Sequence, residues 1–253
     1  IAASHTTLTA GDALYLRGVA RSTWRFFEQF VTEEDHWLPP DNFQEDPAPV
    51  VARRTSPTNI GLALLAGVSA RDLGYVGLLE LLERTEFTLE SVQSLERFNG
   101  HLLNWYDTGT LEPLSPRYVS TVDSGNLAGH LLVLKQACLE AVDGPLLSRD
   151  VLSGFADTLV CLNAECAKLR TGSHWAGVEL LDRLRSESAS CRTAIESTPG
   201  SLEAWSERLE RIGDLSGAIV DTVDEISATR RPAEVEELRY WAGRLAAQSR
   251  SHK

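Results

Sequence analysis

The spacing of apolar residues along this chain predicts that most of it is helical. Apolar positions recur every three or four residues, which is the period of an α-helix with one buried face. In the first half this pattern predicts helices over residues 14–30, 57–74, 78–98 and 124–142. The second of these begins at Ser56-Pro57, a serine N-cap followed by proline at the first helical position, and ends at Gly74. Residues 101–110 are predicted to be extended and to end in a turn.

The pattern becomes more uniform after Pro145. Residues 148–170, 175–196, 201–228 and 232–250 are amphipathic, with Leu and Ala on one face and Glu and Arg on the other. Such a series is typical of an antiparallel helical bundle. The chain is therefore predicted to be all-α and to divide into residues 1–145 and residues 146–253, the second part being a support or an insertion.

Three segments between the predicted helices are dense in polar and aromatic side chains. They are residues 37–61, 101–108 and 117–130, which we call the first, second and third polar segments. Connections between helices are usually short, and a long one rich in hydrogen-bonding groups indicates a binding surface. We expect the chemistry of the chain to lie in these segments.

Composition narrows the class of ligand. The formal net charge is −12, which disfavours nucleic acid and an anionic membrane surface, because both are bound through clustered Lys and Arg. No apolar run approaches the ~20 residues that span a bilayer. The composition is compatible with a neutral, hydroxyl-rich ligand. The chain starts at Ile1 and contains no Met, which indicates a piece of a longer or processed polypeptide.

The cysteines and histidines give no sign of a metal site. The four cysteines lie in helix-like surroundings without a zinc-type CxxC pair, and we expect buried free thiols, with a disulfide as the alternative. This usage favours a reducing compartment. His101 and His130 flank the polar segments but lack metal-ligand spacing. No metal and no cofactor are expected.

Two long stretches carry a resemblance to a known family. They are TWRFFEQFVTEEDHWLPPDNFQEDPAPVVARRTSPTNIGLALLAGVSARDLG and LERFNGHLLNWYDTGTLEPLSPRYVSTVDSGNLAGHLLVL. This part of the chain, from about Leu14 to about Val142, resembles the central glucoamylase-like region of cyclic β-1,2-glucan synthases. The resemblance implies a partial (α/α)6 barrel of helical hairpins with long functional loops. It also implies a glycoside hydrolase or transglycosylase, related to endo-β-1,2-glucanases, that cuts linear glucan and closes it into a ring.

The same resemblance implies the setting of the chain. Its partners would be β-1,2-glucan or a related glucose polymer and the remaining domains of a membrane-bound parent on the cytoplasmic side of the bacterial inner membrane. The chain itself is expected to be soluble. An incomplete barrel exposes apolar surface, so self-association into a homo-oligomer is a further expectation. In the family the barrel continues with further acidic motifs that have no counterpart here. The alternatives are therefore a non-catalytic glucan-binding or scaffolding module and a helical interaction domain.

Asp123 is the predicted catalytic residue. It stands in VSTVDSGN beside a predicted helix start, where the alternative role is an ordinary N-cap. A glycosidase needs two carboxyl groups, ~5–5.5 Å apart for retention of configuration or ~6.5–9.5 Å apart for inversion. The possible companions of Asp123 are Asp41, Glu45, Asp46 and Asp107, and the alternative for Glu45 and Asp46 is that they are simply solvated.

The predicted substrate-binding residues combine aromatic faces for stacking on pyranose rings with hydrogen-bonding groups for their hydroxyls. They are Trp37, Asp41, Asn42, Arg54, Thr55, Ser56, Thr58, Asn59, Trp105, Tyr106, Asp107, Ser124 and Asn126. Each has a structural alternative: core packing for the aromatic residues, local turn bonds for Asp41 and Asp107, and an anion site or an Asp pairing for the arginines near the helix start.

Overall fold

The computed structural model describes residues 8–169 and 177–253, and the all-α prediction is confirmed for them. Their helices are α1 (Ala10–Phe30), α2 (Pro57–Asp72), α3 (Leu78–Ser94), α4 (Thr121–Asp143), α5 (Arg149–Lys168), α6 (Val178–Ile195), α7 (Leu202–Ser227) and α8 (Pro232–Ser251). The predicted helix ends at residues 170 and 175 lie outside the described residues.

Short two-residue strands connect the helices of the first half. They are β1 (Phe43–Gln44), β2 (Val50–Val51), β3 (Arg54–Thr55), β4 (Arg97–Phe98), β5 (His101–Leu102) and β6 (Tyr106–Asp107). They form three antiparallel pairs, β1 with β2, β3 with β6 and β4 with β5. The pairing of β3 with β6 joins segments that are far apart in sequence.

The predicted ends of α2 are confirmed, whereas those of its neighbours differ. The Ser56 hydroxyl accepts a hydrogen bond from Asn59 N at 3.2 Å, and Gly74 has a φ of 80°. Helix α4 begins earlier than predicted, because the Ser120 hydroxyl caps it by accepting from Asp123 N at 3.2 Å. Asp123 therefore lies inside the first turn, and its alternative role as the N-cap is wrong.

Helix α3 ends before the predicted residue 98. Strands β4 and β5 form a tight hairpin, with Phe98 opposite His101. Its turn is Asn99-Gly100, and both residues have positive φ, 49° and 83°. An Asn-Gly pair suits such a turn because both residues tolerate the left-handed region.

The chain contains two compact units. Unit 1 comprises the described parts of residues 1–22, 73–77 and 147–253, and unit 2 comprises residues 23–72 and 78–146. Helix α1 contributes to both. The grouping differs from a simple division at residue 145, because the N-terminal segment and residues 73–77 belong with the C-terminal helices.

Unit 1 is built on a cycle of helix contacts. Helix α5 packs on α6 and α8, and α7 packs on the same two helices. Their facing stripes form one apolar cluster in which Phe155, Leu162, Ile212 and Leu245 have no exposed surface. Burial of such side chains stabilises a fold by about 1.5–3 kcal/mol each.

Arg21 of α1 is a buried cation in unit 1. Its Nε donates to Thr158 Oγ1 at 2.9 Å, and its guanidinium lies 5.2 Å from the Tyr75 ring centroid and 5.0 Å from that of Trp241. Stacking on two aromatic rings gives a desolvated guanidinium an electrostatic partner. This contact fixes α1 against the α5 and α8 side chains of the same unit.

Asp157 is a buried anion of the same unit. Arg17 pairs with it at 2.8 Å, and the Tyr75 hydroxyl donates to its Oδ2 at 3.1 Å. Burial, and then the charge of Asp157, raise the pKa of Tyr75 well above its usual value. Tyr75 therefore stays a protonated donor at neutral pH, and residues 73–77 are bound to α5 through it.

Two backbones approach closely at Gly154 of α5. A Cβ placed there would lie 2.3 Å from Gly74 O, and the same carbonyl accepts a hydrogen bond from Gln248 Nε2 at 2.8 Å. The absence of a side chain at residue 154 thus allows residues 73–77 to lie against α5.

Unit 2 packs α2 against α3 and α4. Its apolar cluster includes Leu38, Ile60 and Leu64. A Cβ at Gly61 would lie 2.2 Å from His130 Nδ1, so this glycine allows His130 of α4 to pack against α2. No helix among residues 8–169 and 177–253 is long and apolar enough to cross a membrane.

Helix α4 exposes several large apolar side chains. They are Val122, Leu132, Val133, Leu139 and Val142. An apolar depression of about 210 Å³ lies beside it, lined by residues of α2, α3 and α4. The predicted self-association stays a prediction.

The four cysteines form no disulfide, and they differ in exposure. Cys166 and Cys191 are buried, as expected, and Cys161 is partly buried. Cys138 is exposed on α4, so the prediction of a buried thiol is wrong at this position. Burial raises the pKa of the Cys191 thiol to about 12.

We expect Gly154→Ala to destabilise the protein by about 2–3 kcal/mol, because the added methyl group overlaps the Gly74 carbonyl. Gly217→Ala is the matched control, since it is also inside a helix and a Cβ there meets nothing within 4 Å. That control should be neutral or stabilise by up to ~1 kcal/mol. Urea unfolding of both variants measures the difference, and equal midpoints would contradict the close approach.

We expect Cys138 to react rapidly with a thiol reagent at pH 8 and Cys191 to react only after unfolding, because the thiolate is the nucleophile. Absorbance of released thionitrobenzoate, with and without denaturant, measures both rates. Cys138→Ser should remove the fast phase, and a fast phase that persists in this variant would show that another thiol is accessible.

Candidate functional site

The three polar segments converge in unit 2. Strand pairing joins the first to the second, with Arg54 opposite Asp107 and Thr55 opposite Tyr106. The second is joined to the third where Asn104 N donates to Tyr118 O at 2.9 Å. The third returns to the first through Asn126 Nδ2, which donates to Thr58 Oγ1 at 3.1 Å. The expectation that these segments act together thus has a structural basis.

A buried carboxylate holds the first and second segments together. Asp35, with 5% side-chain exposure, accepts from Arg53 Nη1 and from Thr108 Oγ1, both at 2.6 Å. His36 and Trp37, which follow it, have positive φ values of 52° and 57°. Such values are uncommon for residues other than glycine and indicate that the chain is forced to reverse here.

Asp41 is engaged through both carboxylate oxygens. Oδ2 pairs with Arg54 Nη2 at 2.8 Å and accepts from Asn42 Nδ2 at 3.2 Å. Oδ1 accepts from Asn59 Nδ2 at 3.3 Å. The structure therefore brings together four predicted substrate-binding residues, and it pairs Arg54 with an aspartate, one of the alternatives considered from the sequence.

Trp105 is fixed by contacts on one face and one edge. The guanidinium of Arg54 lies 4.9 Å from its ring centroid. Its Nε1 donates to the side-chain oxygen of Asn104 at 2.5 Å. An indole held in this way presents its remaining face in a defined orientation.

Asn104 connects Trp105 to Asp123. Its side-chain nitrogen donates to Asp123 Oδ2 at 2.9 Å, and its oxygen also accepts from the Tyr118 hydroxyl at 2.8 Å. The orientation of the amide follows from its partners, because an indole N–H can only donate and a carboxylate can only accept. We call Asn104, Trp105, Tyr118 and Asp123 the Asn104 network.

An open groove of about 500 Å³ lies along the paired strands. It is lined by both polar and apolar residues: Asn42, Gln44, Val50, Ala52, Arg53, Arg54, Asp107 and Leu114. Arg54 belongs to this groove and also stacks on Trp105. The groove and the Asn104 network are therefore neighbours.

The chain is similar in sequence to one known synthase, whereas family models give no match. No family model matches the chain. The chain is 40% identical, over 239 residues that make up 94% of its length, to the cyclic beta-(1,2)-glucan synthase NdvB of Rhizobium meliloti (strain 1021). The resemblance to cyclic β-1,2-glucan synthases is confirmed. The chain spans 8% of the length of that synthase. Because the match covers 94% of the chain, it includes both halves and not the polar segments alone.

Several predicted sugar contacts of this synthase-like chain lie in supporting positions. Tyr106 has no exposed surface; its hydroxyl donates to Glu96 O at 2.7 Å and accepts from Leu103 N at 2.6 Å, and burial raises its pKa. Thr55 is equally buried, and Ser56 caps α2. Direct contact of these three side chains with sugar stays a prediction, whereas their role in holding the strands is visible.

Asp107 and Trp37 have structural partners of the kind considered from the sequence. Asp107 Oδ1 accepts from the backbone N–H groups of Gly109 and Thr110, both at 2.9 Å, and so closes the turn. The Trp37 ring stacks at 5.2 Å on Phe87 of α3. Among the predicted aromatic contacts, Trp105 is thus the one that the side chain of Asn104 links to Asp123.

Three predictions remain: the sugar contact of Ser124, the roles of Glu45 and Asp46, and the absence of a metal site. Ser124 Oγ is buried and has no hydrogen-bond partner among the described residues. Glu45 and Asp46 are exposed, which agrees with the alternative that they are solvated, and their role as companions of Asp123 stays a prediction. Within residues 8–169 and 177–253, no three His, Cys, Asp or Glu side chains are grouped as metal ligands would be.

Sequence reasoning missed Asp35, Asn104 and Tyr118. Asp35 lies outside the first polar segment, in a short 3-10 helix that looks like a solvated acidic turn. Asn104 and Tyr118 lie inside the other segments but were not singled out. Position was an available signal for two of them, since Asp35 and Asn104 stand within two residues of the predicted contacts Trp37 and Trp105.

We expect Arg53→Ala to lower stability by about 2 kcal/mol, because it leaves the Asp35 carboxylate buried without its cation. Arg117→Ala is the matched control: the two arginines are 51% and 54% exposed, but the partner of Arg117, Glu96, is 52% exposed against 5% for Asp35. The control should cost less than about 1 kcal/mol. Thermal or urea unfolding measures both, and equal losses would contradict a special role of Asp35.

Proposed function

We propose that this chain forms part of the glycoside hydrolase or transglycosylase region of a cyclic β-1,2-glucan synthase and acts on β-1,2-glucan. The observation that carries the proposal is the convergence of the three polar segments around Asp123 and Trp105. The similarity to the rhizobial synthase supports the substrate class. In the proposal α2, α3 and α4 are part of an (α/α) barrel and unit 1 is the supporting bundle.

Asp123 has the surroundings of a carboxylate that acts on a ligand. It lies in the first turn of α4 and is partly exposed. Asn104 occupies Oδ2, and among the described residues no hydrogen bond engages Oδ1. That oxygen is available to a sugar hydroxyl or to the reacting centre. Asp123 would supply one of the two carboxyl groups that glycoside cleavage requires.

Trp105 and its neighbours supply binding surface. A pyranose ring has apolar C–H faces and a hydroxylated edge, so an indole face flanked by amides and carboxylates suits it. Asn42, Asn59 and Asn126 provide such amides near the groove. Asp41, whose oxygens are already bound to Arg54 and Asn59, would bind sugar hydroxyls rather than transfer a proton.

The runner-up is a non-catalytic glucan-binding module of the same kind of parent protein. It is favoured by the hydrogen bonding of the carboxylates. Among the described residues of the site, three carboxylates already accept hydrogen bonds from protein groups: Asp35, Asp41 and Asp107. That leaves Asp123 as the candidate without a full set of partners. Binding without turnover is the outcome that selects this second function.

Calorimetry with linear β-1,2-glucan, combined with chromatography of the products, tests both functions. We expect saturable binding by the wild type and no comparable binding of a β-1,4-glucan of the same length. Trp105→Ala should weaken binding at least tenfold, or about 1.4 kcal/mol. Asp123→Asn should lower cleavage or ring closure by ~10²–10⁴-fold, the usual contribution of a proton-transferring group.

Asp143→Asn is the control for the charge change, because it makes the same substitution at the exposed far end of α4. It should leave binding and products unchanged. Full turnover by Asp123→Asn would remove this residue from the mechanism. The absence of saturable wild-type binding would contradict both the enzyme and the binding module.

A further inference from the structure

We propose that Asn104 is a positioning residue that holds the Asp123 carboxylate and the Trp105 indole in one fixed arrangement. The inference rests on the proposed function and deepens it, because it names the group that aligns the carboxylate of the glucan site with its aromatic surface. Asn104 need not touch sugar itself. It acts through the two residues that do.

Asn104 is well placed for this role because it is buried and fully bonded. Its relative exposure is 5%. Three side chains converge on its amide: Asp123, Trp105 and Tyr118. A buried polar group that loses a partner costs about 1–3 kcal/mol, so the arrangement resists distortion. The backbone of Asn104 is also fixed, since its N–H donates to Tyr118 O at 2.9 Å.

The chemistry of the amide explains why this residue type is needed. The carboxylate of Asp123 requires a donor, and the indole of Trp105 requires an acceptor. A short planar amide offers both within one rigid group. Aspartate at residue 104 would offer only acceptors when ionised, and leucine would offer neither.

The link also joins two separate elements of unit 2. Asp123 belongs to α4, whereas Trp105 lies in the segment that leads into β6. Without the amide, the relative position of the two side chains would depend on the packing of a helix against a loop. A displacement of about 1 Å at a reacting centre can cost 10²-fold in rate, so a direct link between them has functional value.

The Asp41 carboxylate is also linked to the Trp105 indole, through Arg54. Arg54 stacks on Trp105 and pairs with Asp41 at 2.8 Å. Tyr118 and Asp123 are the titratable groups bonded to Asn104. Any pH dependence seen at Trp105 must therefore be assigned to Asp123 or to Asp41 by substituting each in turn.

The decisive experiment uses Asn104→Asp without glucan. In this variant two carboxyl groups face each other, and repulsion raises the apparent pKa of the pair above the ~3.9 of an ordinary aspartate. We expect the Trp105 indole N–H resonance in a ¹H–¹⁵N spectrum to follow this titration. Adding Asp123→Asn should remove the part of the upward shift that comes from repulsion and leave the part that comes from burial of residue 104, whereas adding Asp41→Asn should leave the whole shift. If the pH titration of the Trp105 indole N–H resonance is the same in Asn104→Asp as in the wild type, the proposal is overturned.

A second experiment measures glucan binding by the same variant as a function of pH. At pH 7 Asn104→Asp should bind linear β-1,2-glucan at least tenfold more weakly than the wild type. Binding should recover as the pH falls, because one shared proton restores a donor between the two carboxyl groups. Asn99→Asp, which makes the same change in the exposed hairpin turn, should match the wild type at every pH. Circular dichroism at each pH must show that the variant stays folded, because protonation would also relieve a loss of stability caused by two facing carboxylates.

Tyr118→Phe keeps the test valid if substitutions of the buried amide prevent folding. Tyr118 is 46% exposed, so the variant should fold, and it removes one hydrogen bond to the Asn104 oxygen. The Trp105 indole N–H should then exchange faster with solvent, and an unchanged exchange rate overturns the proposal. If the wild type binds no glucan while the Trp105 titration behaves as expected, the proposed function fails and the positioning role stands.

Discussion

The pairing of β3 with β6 is the constraint on which the candidate site depends. It joins Arg54–Thr55 to Tyr106–Asp107 and so closes a long loop of chain. A two-residue ladder is too short to be stable alone, and closing a loop costs entropy. The ends of the ladder are therefore fixed by buried groups: Tyr106 lies in the apolar core, and Asp35 binds Arg53 and Thr108 beside it. The groove and the Asn104 network exist because this closure is held.

Each unit contains a buried carboxylate that joins segments distant in sequence. Asp35 does so in unit 2, and Asp157, bound to Arg17 and Tyr75, does so in unit 1. Buried ion pairs contribute little net stability, because desolvation offsets the attraction. Their effect is specific instead: a misplaced segment would leave a charge buried without its partner. In both units an irregular part of the chain is thereby bound in one register.

The helical period and the capping residues predicted most of the fold, since both are local signals. Ser56 and Gly74 mark the ends of α2 because the sequence carries their chemistry directly. The same rule missed the start of α4, where Ser120 supplies the hydroxyl and residue 123 only looks like a cap. The polar segments of the site were found from composition. Asp35 and Asn104 were not, because their roles arise from contacts with residues that no local pattern places beside them.

The covering of one Trp105 face by Arg54 has a consequence for direction. In the proposed function a sugar ring reaches this indole from the face that Arg54 does not cover, and Asn104 links the same indole to Asp123. A glucan chain has two unlike ends. A ring that stacks on one face while its hydroxyl meets one carboxylate must lie with its reducing end pointing one way. In the proposed function this arrangement would give the groove a polarity, so that a linear polymer would enter it in one orientation.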